Sequence, residues 1–426
     1  MPISTKKKKV PAKGLTAKKK TTKKKTRTVS RKKDAIDLLL ASINKELKDG
    51  GSVQRGEEIT YLNFERIPSG SLGLDIIMGG GIPRSAITQY KGIESAAKTT
   101  MAMHAFSIRQ REGEDVAWAA SEGFDKKWAR KNGCFIPYNE KELELLVRNG
   151  KLRSASHAQE FAERYLAKHD GWGTFSLVQT RSSPKLLEVA SQLVRAGLYG
   201  LVALDSAGAL ISDEDDEKEV GDATRVGGNA KIITHFVNKV RKSFNAGVPS
   251  TKDVNGKTIK CTTPNQTAVI VINQVRDRIG AWSPRGTPEP EAGGGYGLKH
   301  GKDIDIRFSK GDLLTVSVRG QKIVYGRQVK AKCEKNKTAA PYRQASWYLY
   351  FKSYKDEGIK SGTIDLADEV LQYGRYYGLI EQSGHFYNIE GEKLNGAEAA
   401  VMFLREQPEI LTAYRQTILE LAGQGE

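Results

Sequence analysis

The chain lacks any run of 18 apolar residues, so no segment of it is expected to cross a bilayer as a helix. It is poor in cysteine: Cys134, Cys261 and Cys333 stand far apart and show no CxxC spacing. That argues against a disulfide framework or a cysteine-built zinc site and fits a reducing compartment. The basic N-terminus has no apolar stretch behind it, so it does not read as a secretory signal. Acid is missing altogether from residues 1–33, which hold 15 of the 68 Lys and Arg. The other 53 face 50 Asp and Glu. The net charge of +18 is therefore carried mainly by a tail on a nearly neutral body, which excludes a protein made basic throughout.

What is present suffices for a large fold. The chain has 426 residues, 38% of them apolar, room for two to four folding units of roughly 100–200 residues each. Residues 1–33, rich in Lys, Thr and Ala, have little to bury and are expected to be disordered. Such an arm suits nucleic acid, because each cation placed on a phosphate releases counterions; the alternative is a solubilising or targeting extension. Residues 34–58 form a helix and linker, with Ile36, Leu39, Leu40, Ile43 and Leu47 making one apolar stripe at helical spacing before Gly50 and Gly51. Residues 59–355 alternate short apolar runs with helical stretches, the pattern of an α/β fold on a mostly parallel sheet. It predicts strands at Ala86–Tyr90, Asp115–Ala120, Phe175–Gln179, Gly200–Leu204 and Thr267–Ile272. Consecutive strands at Ile304–Phe308, Leu313–Val318, Val324–Lys332 and Ser346–Phe351 predict an antiparallel extension. Residues 356–426 read as a small α+β unit with a hairpin in HFYNIEGEKL.

The chemistry concentrates after the first core strand. The segment Gly92-Ile-Glu94-Ser95-Ala-Ala97-Lys98-Thr99-Thr100 opens a helical run. Strand, loop, Lys-Thr and helix form the setting of a phosphate-binding loop: backbone N–H groups cradle phosphate, Lys98 reaches its outer oxygens and Thr99 holds magnesium. The usual pattern is GxxxxGK[ST], and Ala97 stands where its second glycine belongs. A left-handed alanine costs roughly 1–2 kcal/mol, so the loop reads as a nucleotide site with a handicap.

Three further strand ends carry polar groups. Leu201–Leu204 ends in Asp205, placed to support a magnesium ion. Glu122 follows the strand at 115–120, as a general base or a helix cap. Asn273 and Gln274 close the strand at 267–272, on the side where open α/β sheets bind ligands. The next 28 or so residues are rich in Gly, Pro and cations and include Trp282. Arg276, Arg278, Arg285 and Lys299, interleaved with Ile279 and Trp282, suit single-stranded nucleic acid, with cations for phosphates and flat or wedge-like groups for bases. The acidic run in Ile211–Gly228 reads as a solvated face.

Together these segments resemble the RecA family of DNA strand-exchange recombinases from about Asp34 to the C-terminus. The specific stretches are IPSGSLGLD (Ile67–Asp75), GIESAAKTT, LVALDSAGAL, VINQVRDRIG, GGGYGLKH, KNKTAAPYRQA (Lys335–Ala345) and GLIEQSGHFYNIEGEKL. The resemblance implies a RecA-like P-loop ATPase core, an N-terminal polymerisation helix and a small C-terminal domain. It implies ATP and Mg2+ held by Gly92, Glu94, Ser95, Ala97, Lys98, Thr99, Thr100 and Asp205, with Asp125 and Trp128 beside the adenine. It gives Glu122 the activation of water and Gln274 the sensing of the γ-phosphate. Lys335 and Lys337 would reach the ATP of an adjacent subunit. Arg225, Lys231, Arg276, Arg278, Ile279 and Arg285 would line the DNA path, and the Asp34–Lys48 stripe would dock on the next protomer.

Four departures stand out: Ala97, an inserted helical segment at Phe135–Thr174, a second insertion at about Ala246–Gln266, and no acidic C-terminal tail. The function implied is a cytoplasmic, ATP-dependent recombinase that forms helical filaments on single-stranded DNA and pairs it with duplex DNA. The alternative is a filament protein that coats DNA without hydrolysis. A hexameric helicase on the same core would form closed rings instead.

Overall fold

Runs rich in Val, Ile and Ala become strands wherever both faces are covered by helices. The computed structural model describes residues 35–43, 45–46, 66–213, 228–252, 258–259, 265–276, 291–352 and 360–424. The strands are β1 (Ile87–Gly92), β2 (Val116–Ala120), β3 (Phe175–Gln179) and β4 (Leu201–Asp205), then the short β5 (Thr251–Lys252) and β6 (Thr258–Ile259). They continue with β7 (Ala268–Arg276), β8 (Glu291–Ala292), β9 (Ile304–Val318), β10 (Gln321–Asn336) and β11 (Gln344–Tyr350). The main sheet runs β11-β10-β9-β1-β7-β4-β2-β3, with β8 beside β7. From β3 to β9 along this path all neighbours are parallel. β10 and β11 extend the sheet antiparallel, as the sequence pattern predicts.

Strand alternation divides the core between two faces. Tyr90, Trp118, Ile304, Ile306 and Phe308 face one way and pack with Phe106 of the helix Lys98–Arg111. Phe106 and Trp118 meet edge-on at 5.0 Å, both fully buried. Ile87, Val202, Leu204, Val269 and Val271 face the other way, against the helices Ser183–Ala196 and Gly228–Ala246. Covering both faces holds the strand ends in a fixed row, and that row positions the site.

One expectation fails in detail. Ile304–Phe308 and Leu313–Val318 are a single strand, β9, and its partner β10 is longer than expected. Lys310-Gly311-Asp312 does not break the ladder, because β10 absorbs the irregularity in register shifts at Val324/Gly326 and Arg327/Val329. The hairpin turns through Arg319 and Gly320, both left-handed at φ 50° and 78°, the conformation that a two-residue hairpin demands.

The segment Phe135–Thr174 holds the expected helices, Glu140–Arg148 and Ala155–Lys168. Asn139 and Glu142 cap the first reciprocally. The Arg130 guanidinium bonds Glu142 at 2.9 Å and lies 3.8 Å over the Tyr138 ring. Phe135 stacks on His169 at 4.8 Å, and Tyr138 meets Phe161 and Tyr165. Across the two helices Ala158 is the one buried residue, so this hairpin decorates the core without forming part of it. Within the second expected insertion, β5 and β6 pair antiparallel; residues 253–257 between them, where the sequence Asn255-Gly256 suggests a turn, lie outside the described residues.

Residues 366–424 build a cluster of their own. The helix Leu366–Tyr376, the antiparallel strands β12 (Glu381–Ser383), β13 (Phe386–Ile389) and β14 (Glu392–Asn395), and the helices Ala397–Glu406 and Pro408–Gln424 gather Val370, Leu371, Ile389, Leu404 and Ile418. Leu72 and Ile76, from the helix Leu72–Met78, pack into the same cluster. Residues 1–62 separate from this body as their own unit. There the helix at residues 35–43 leaves Ile36 and Leu39 exposed and Leu40 and Ile43 half-buried. The Lys-rich residues 1–33 and Leu47 lie outside the described residues.

Candidate nucleotide site

β1 ends at Gly92, where a Cβ would collide with the Phe308 carbonyl of β9. The loop then passes through Ser95 and Ala97 in left-handed conformation, Ala97 at φ 70° and ψ 11°. Ala97 is the residue before the first turn of the helix Lys98–Arg111 and offers no side-chain cap. The first N–H groups of that helix are thus left to point at whatever the loop holds, the arrangement that binds phosphate. The Lys98 ammonium folds back onto the loop, donating to the carbonyls of Gly92 (2.9 Å) and Ile93 (2.7 Å). Burial lowers its pKa, while Asp205, Glu122 and Glu94 act to raise it.

The neighbouring strand ends complete the cluster. The Thr99 hydroxyl lies 3.4 Å from Asp205 Oδ2 at the end of β4. Burial, with Glu122 beside it, pushes the Asp205 carboxyl up to about 6. Glu122 does not cap a helix: it accepts a 2.5 Å hydrogen bond from the Ser206 hydroxyl. Ser206 is held in turn, its N–H donating to Ser121 Oγ and its carbonyl accepting from the same hydroxyl, both at 2.8 Å. Ser121 and Ser206 were not singled out in the sequence. The available signal was that each directly follows an apolar strand on the site's side of the sheet.

Gln274 occupies the β7 rung opposite Gly92. Beside it Asn273 is fully buried, and its Nδ2 donates to the Gly293 carbonyl at 2.6 Å. That bond ties together the two described flanks of the segment that starts after Arg276. Asp125 is the N-cap of the helix Lys126–Lys131, accepting from the N–H of Lys127 and Trp128. Trp128 packs half-buried on the core. Lys231 is exposed in the first turn of the helix Gly228–Ala246. Only the backbone of Arg276 is described; Arg225, Arg278, Ile279 and Arg285 lie outside the described residues.

Lys335 and Lys337 do not join this cluster within one chain. Lys335 pairs in register with Asp305, which is level with Gln89, near the start of β1. Gly92 is three residues further along, about 10 Å at the rise of a strand. The Lys335 ammonium donates to the carbonyls of Lys299 (2.9 Å) and His300 (3.3 Å), and Lys337 bonds Asp303 at 3.2 Å.

The profile of the RecA N-terminal domain matches residues 34–143 and 164–359, well over half of the chain. The chain belongs to the RecA family. It is 31% identical over 395 residues to the RecA protein of a Nocardioides species, with 92% of each chain covered. It is 28% identical over 398 residues to that of Oleidesulfovibrio alaskensis, with 93% of each covered, and 29% over 396 residues to that of Oceanobacillus iheyensis, with 92% of each covered. The family profile breaks off between 143 and 164, inside the helical hairpin expected to be an insertion. Among the described residues no helix is long and apolar enough to cross a membrane.

The residues present suit a magnesium nucleotide. Thr99 and Asp205 present a hydroxyl and a carboxylate close together, oxygen donors of the kind magnesium accepts alongside phosphate and water. Among the described residues no group of three His, Cys, Asp or Glu stands placed to hold a metal ion.

Proposed function

We propose that this RecA-type recombination protein is a cytoplasmic, DNA-dependent ATPase that polymerises on single-stranded DNA and exchanges its strand with a homologous duplex. The observation that carries this reading is the joining of Lys98, Thr99, Asp205 and Glu122 at one row of strand ends, with Gln274 on the rung beside Gly92. Lys98 and the helix N–H groups would bind the phosphates. Thr99 and Asp205 would hold magnesium, which supplies charge neutralisation when bound. Glu122, oriented by Ser206, would take the proton of the attacking water, and positioning and charge would supply most of the catalysis. Gln274 would pass the state of the γ-phosphate to the segment after Arg276, where Arg276, Arg278, Ile279 and Arg285, with Arg225 and Lys231, would meet DNA.

Lys335 lies on a rung about 10 Å short of Gly92, and Lys337 bonds Asp303, which supports their acting on the nucleotide of an adjoining copy. The exposed stripe at residues 35–43 would dock on that neighbour. The second reading, a DNA coat without hydrolysis, rests on Ala97. ATP hydrolysis with and without single-stranded DNA, compared between this protein and its Ala97→Gly variant, separates the two. DNA-stimulated turnover in the unmodified protein is expected; turnover in the glycine variant alone would establish the coat. Removal of residues 1–33 is expected to weaken DNA binding and flatten the slope of log affinity against log salt. An unchanged slope would mean that the tail does not touch DNA.

A further inference from the structure

The stretch Ile67–Asp75 takes no part in the nucleotide site, yet its polar groups are almost all engaged at one buried joint. Ser71 caps the helix Leu72–Met78, its hydroxyl accepting from the Leu74 N–H. That hydroxyl also donates at 2.6 Å to Glu369, which lies on the helix Leu366–Tyr376. Glu369 further accepts from the N–H of Leu72 (3.1 Å) and Gly73 (2.9 Å) and is fully buried. Four residues along the first helix, Asp75 is also fully buried. It accepts from the Ser69 N–H at 2.7 Å and from Arg415 of the last helix at 2.9 Å. Gly73 admits the C-terminal elements: a Cβ there would stand 2.7 Å from the Tyr373 hydroxyl and 3.0 Å from Ala345 Cβ. Two fully buried carboxylates thus share one joint, with Arg415 bonded to Asp75. Other charged or titratable groups at the joint include Tyr373, one turn beyond Glu369, Tyr90 of β1, fully buried and facing Asp75, and Arg343, which donates to the Ile76 carbonyl at 3.4 Å.

We propose that Glu369 and the Ile67–Asp75 segment form a proton-controlled latch that fastens residues 366–424 to the ATPase core, tight when Glu369 is neutral and loosened when it ionises beside Asp75. A neutral carboxyl keeps every contact, because the Ser71 hydroxyl can accept as readily as it donates. An ionised one stays buried next to a second negative charge, which costs heavily unless it is paired. Burial, aided by Asp75, pushes the Glu369 carboxyl up to about 8 against its three donors. Burial likewise pushes Asp75 up to about 6, against Arg415 and Ser69. In the released state Glu369 returns to an ordinary carboxylate value of about 4.3. Closure is therefore fully favoured below that value and weakens as pH rises to about 8, by up to about tenfold per pH unit.

Hydrogen exchange read by mass spectrometry on the full chain, without nucleotide or DNA, tests this. Peptides from residues 366–424 are compared with β1 and β2 peptides, after correction for intrinsic exchange rates. Between pH 6 and 8 the protection of 366–424 relative to the core is expected to fall steeply in the unmodified protein and to stay level in Glu369→Gln. In Asp75→Asn the fall should level off at a lower pH, because Glu369 ionises more easily without the second charge beside it. A protection ratio independent of pH in the unmodified protein overturns the latch, as does a fall that levels off at the same pH in Asp75→Asn. Both readouts stand whether or not the protein hydrolyses ATP.

Discussion

Replacing Ala97 by glycine separates two places where its backbone strain can be felt. A left-handed alanine costs roughly 1–2 kcal/mol, and if only the bound loop were left-handed, the whole of it would weaken ATP binding, by about 5–30-fold. Ala97 is left-handed at φ 70° and ψ 11°, and its carbonyl accepts the Met101 N–H at 2.9 Å, a bond of the helix's first turn that calls on no nucleotide. The strain therefore burdens the folded protein whether or not it is loaded. Glycine relieves it but returns about 0.4–1 kcal/mol of entropy to the unfolded chain. The net expectation is a gain of about 0–1.5 kcal/mol, a rise of a few degrees at most in Tm. Affinity for ATP should change by less than about threefold, unless the Ala97 methyl itself touches phosphate. Thermal unfolding and calorimetric ATP titration of both proteins read the two quantities. A tenfold or greater gain in affinity with Tm unchanged would refute the reasoning, because it would place the strain in the bound state alone.

Three more expectations follow from packing and burial. Gly73→Ala should destabilise the protein by about 1–3 kcal/mol in chemical denaturation, because its methyl meets the Tyr373 hydroxyl and Ala345. Burial, with Arg111 adding to it, pushes the His104 imidazole down to about 4 against a hydrogen bond to the Gly362 backbone. His104 thus contributes stability above about pH 6.5 that is lost as pH falls toward 4. The stability difference between the unmodified protein and His104→Leu should shrink over that window, and a constant difference would contradict the assignment. Excising residues 144–163 with a short polar link should leave Tm within a few degrees, since those helices bury one residue between them; loss of cooperative unfolding would show that the hairpin belongs to the core.

The sheet was legible because its strands are short apolar runs separated by helical periods, and the P-loop because strand, loop and Lys-Thr are contiguous. Asp205 and Glu122 could be placed from their position after strands, although periodicity alone left Glu122 equally a cap; a hydrogen bond from Ser206, 84 residues away, decides its surroundings. That bond depends on β2 and β4 being neighbours, which no local pattern encodes. The joining of Leu313–Val318 to β9 was illegible for a related reason. A Lys-Gly-Asp triplet reads as a turn until β10 is present to shift register around it. The buried contact of Glu369 with Ser71 spans 298 residues, and in sequence Glu369 reads as one more polar residue of an amphipathic helix.

If Lys335 and Lys337 complete a neighbour's site, as proposed above, an assembly of this chain has a direction. On that reading, each copy offers its phosphate loop to one neighbour and its lysines to another. A row of copies then leaves one unmatched loop at its first member and one unmatched lysine pair at its last. Such a contact is head-to-tail, so it has no two-fold axis and stops only if the rotation happens to close a ring. The number of complete sites is one fewer than the number of copies. Turnover per chain should therefore climb with protein concentration, steeply for the shortest rows and then level, and the two ends of a long row should gain and lose members at different rates.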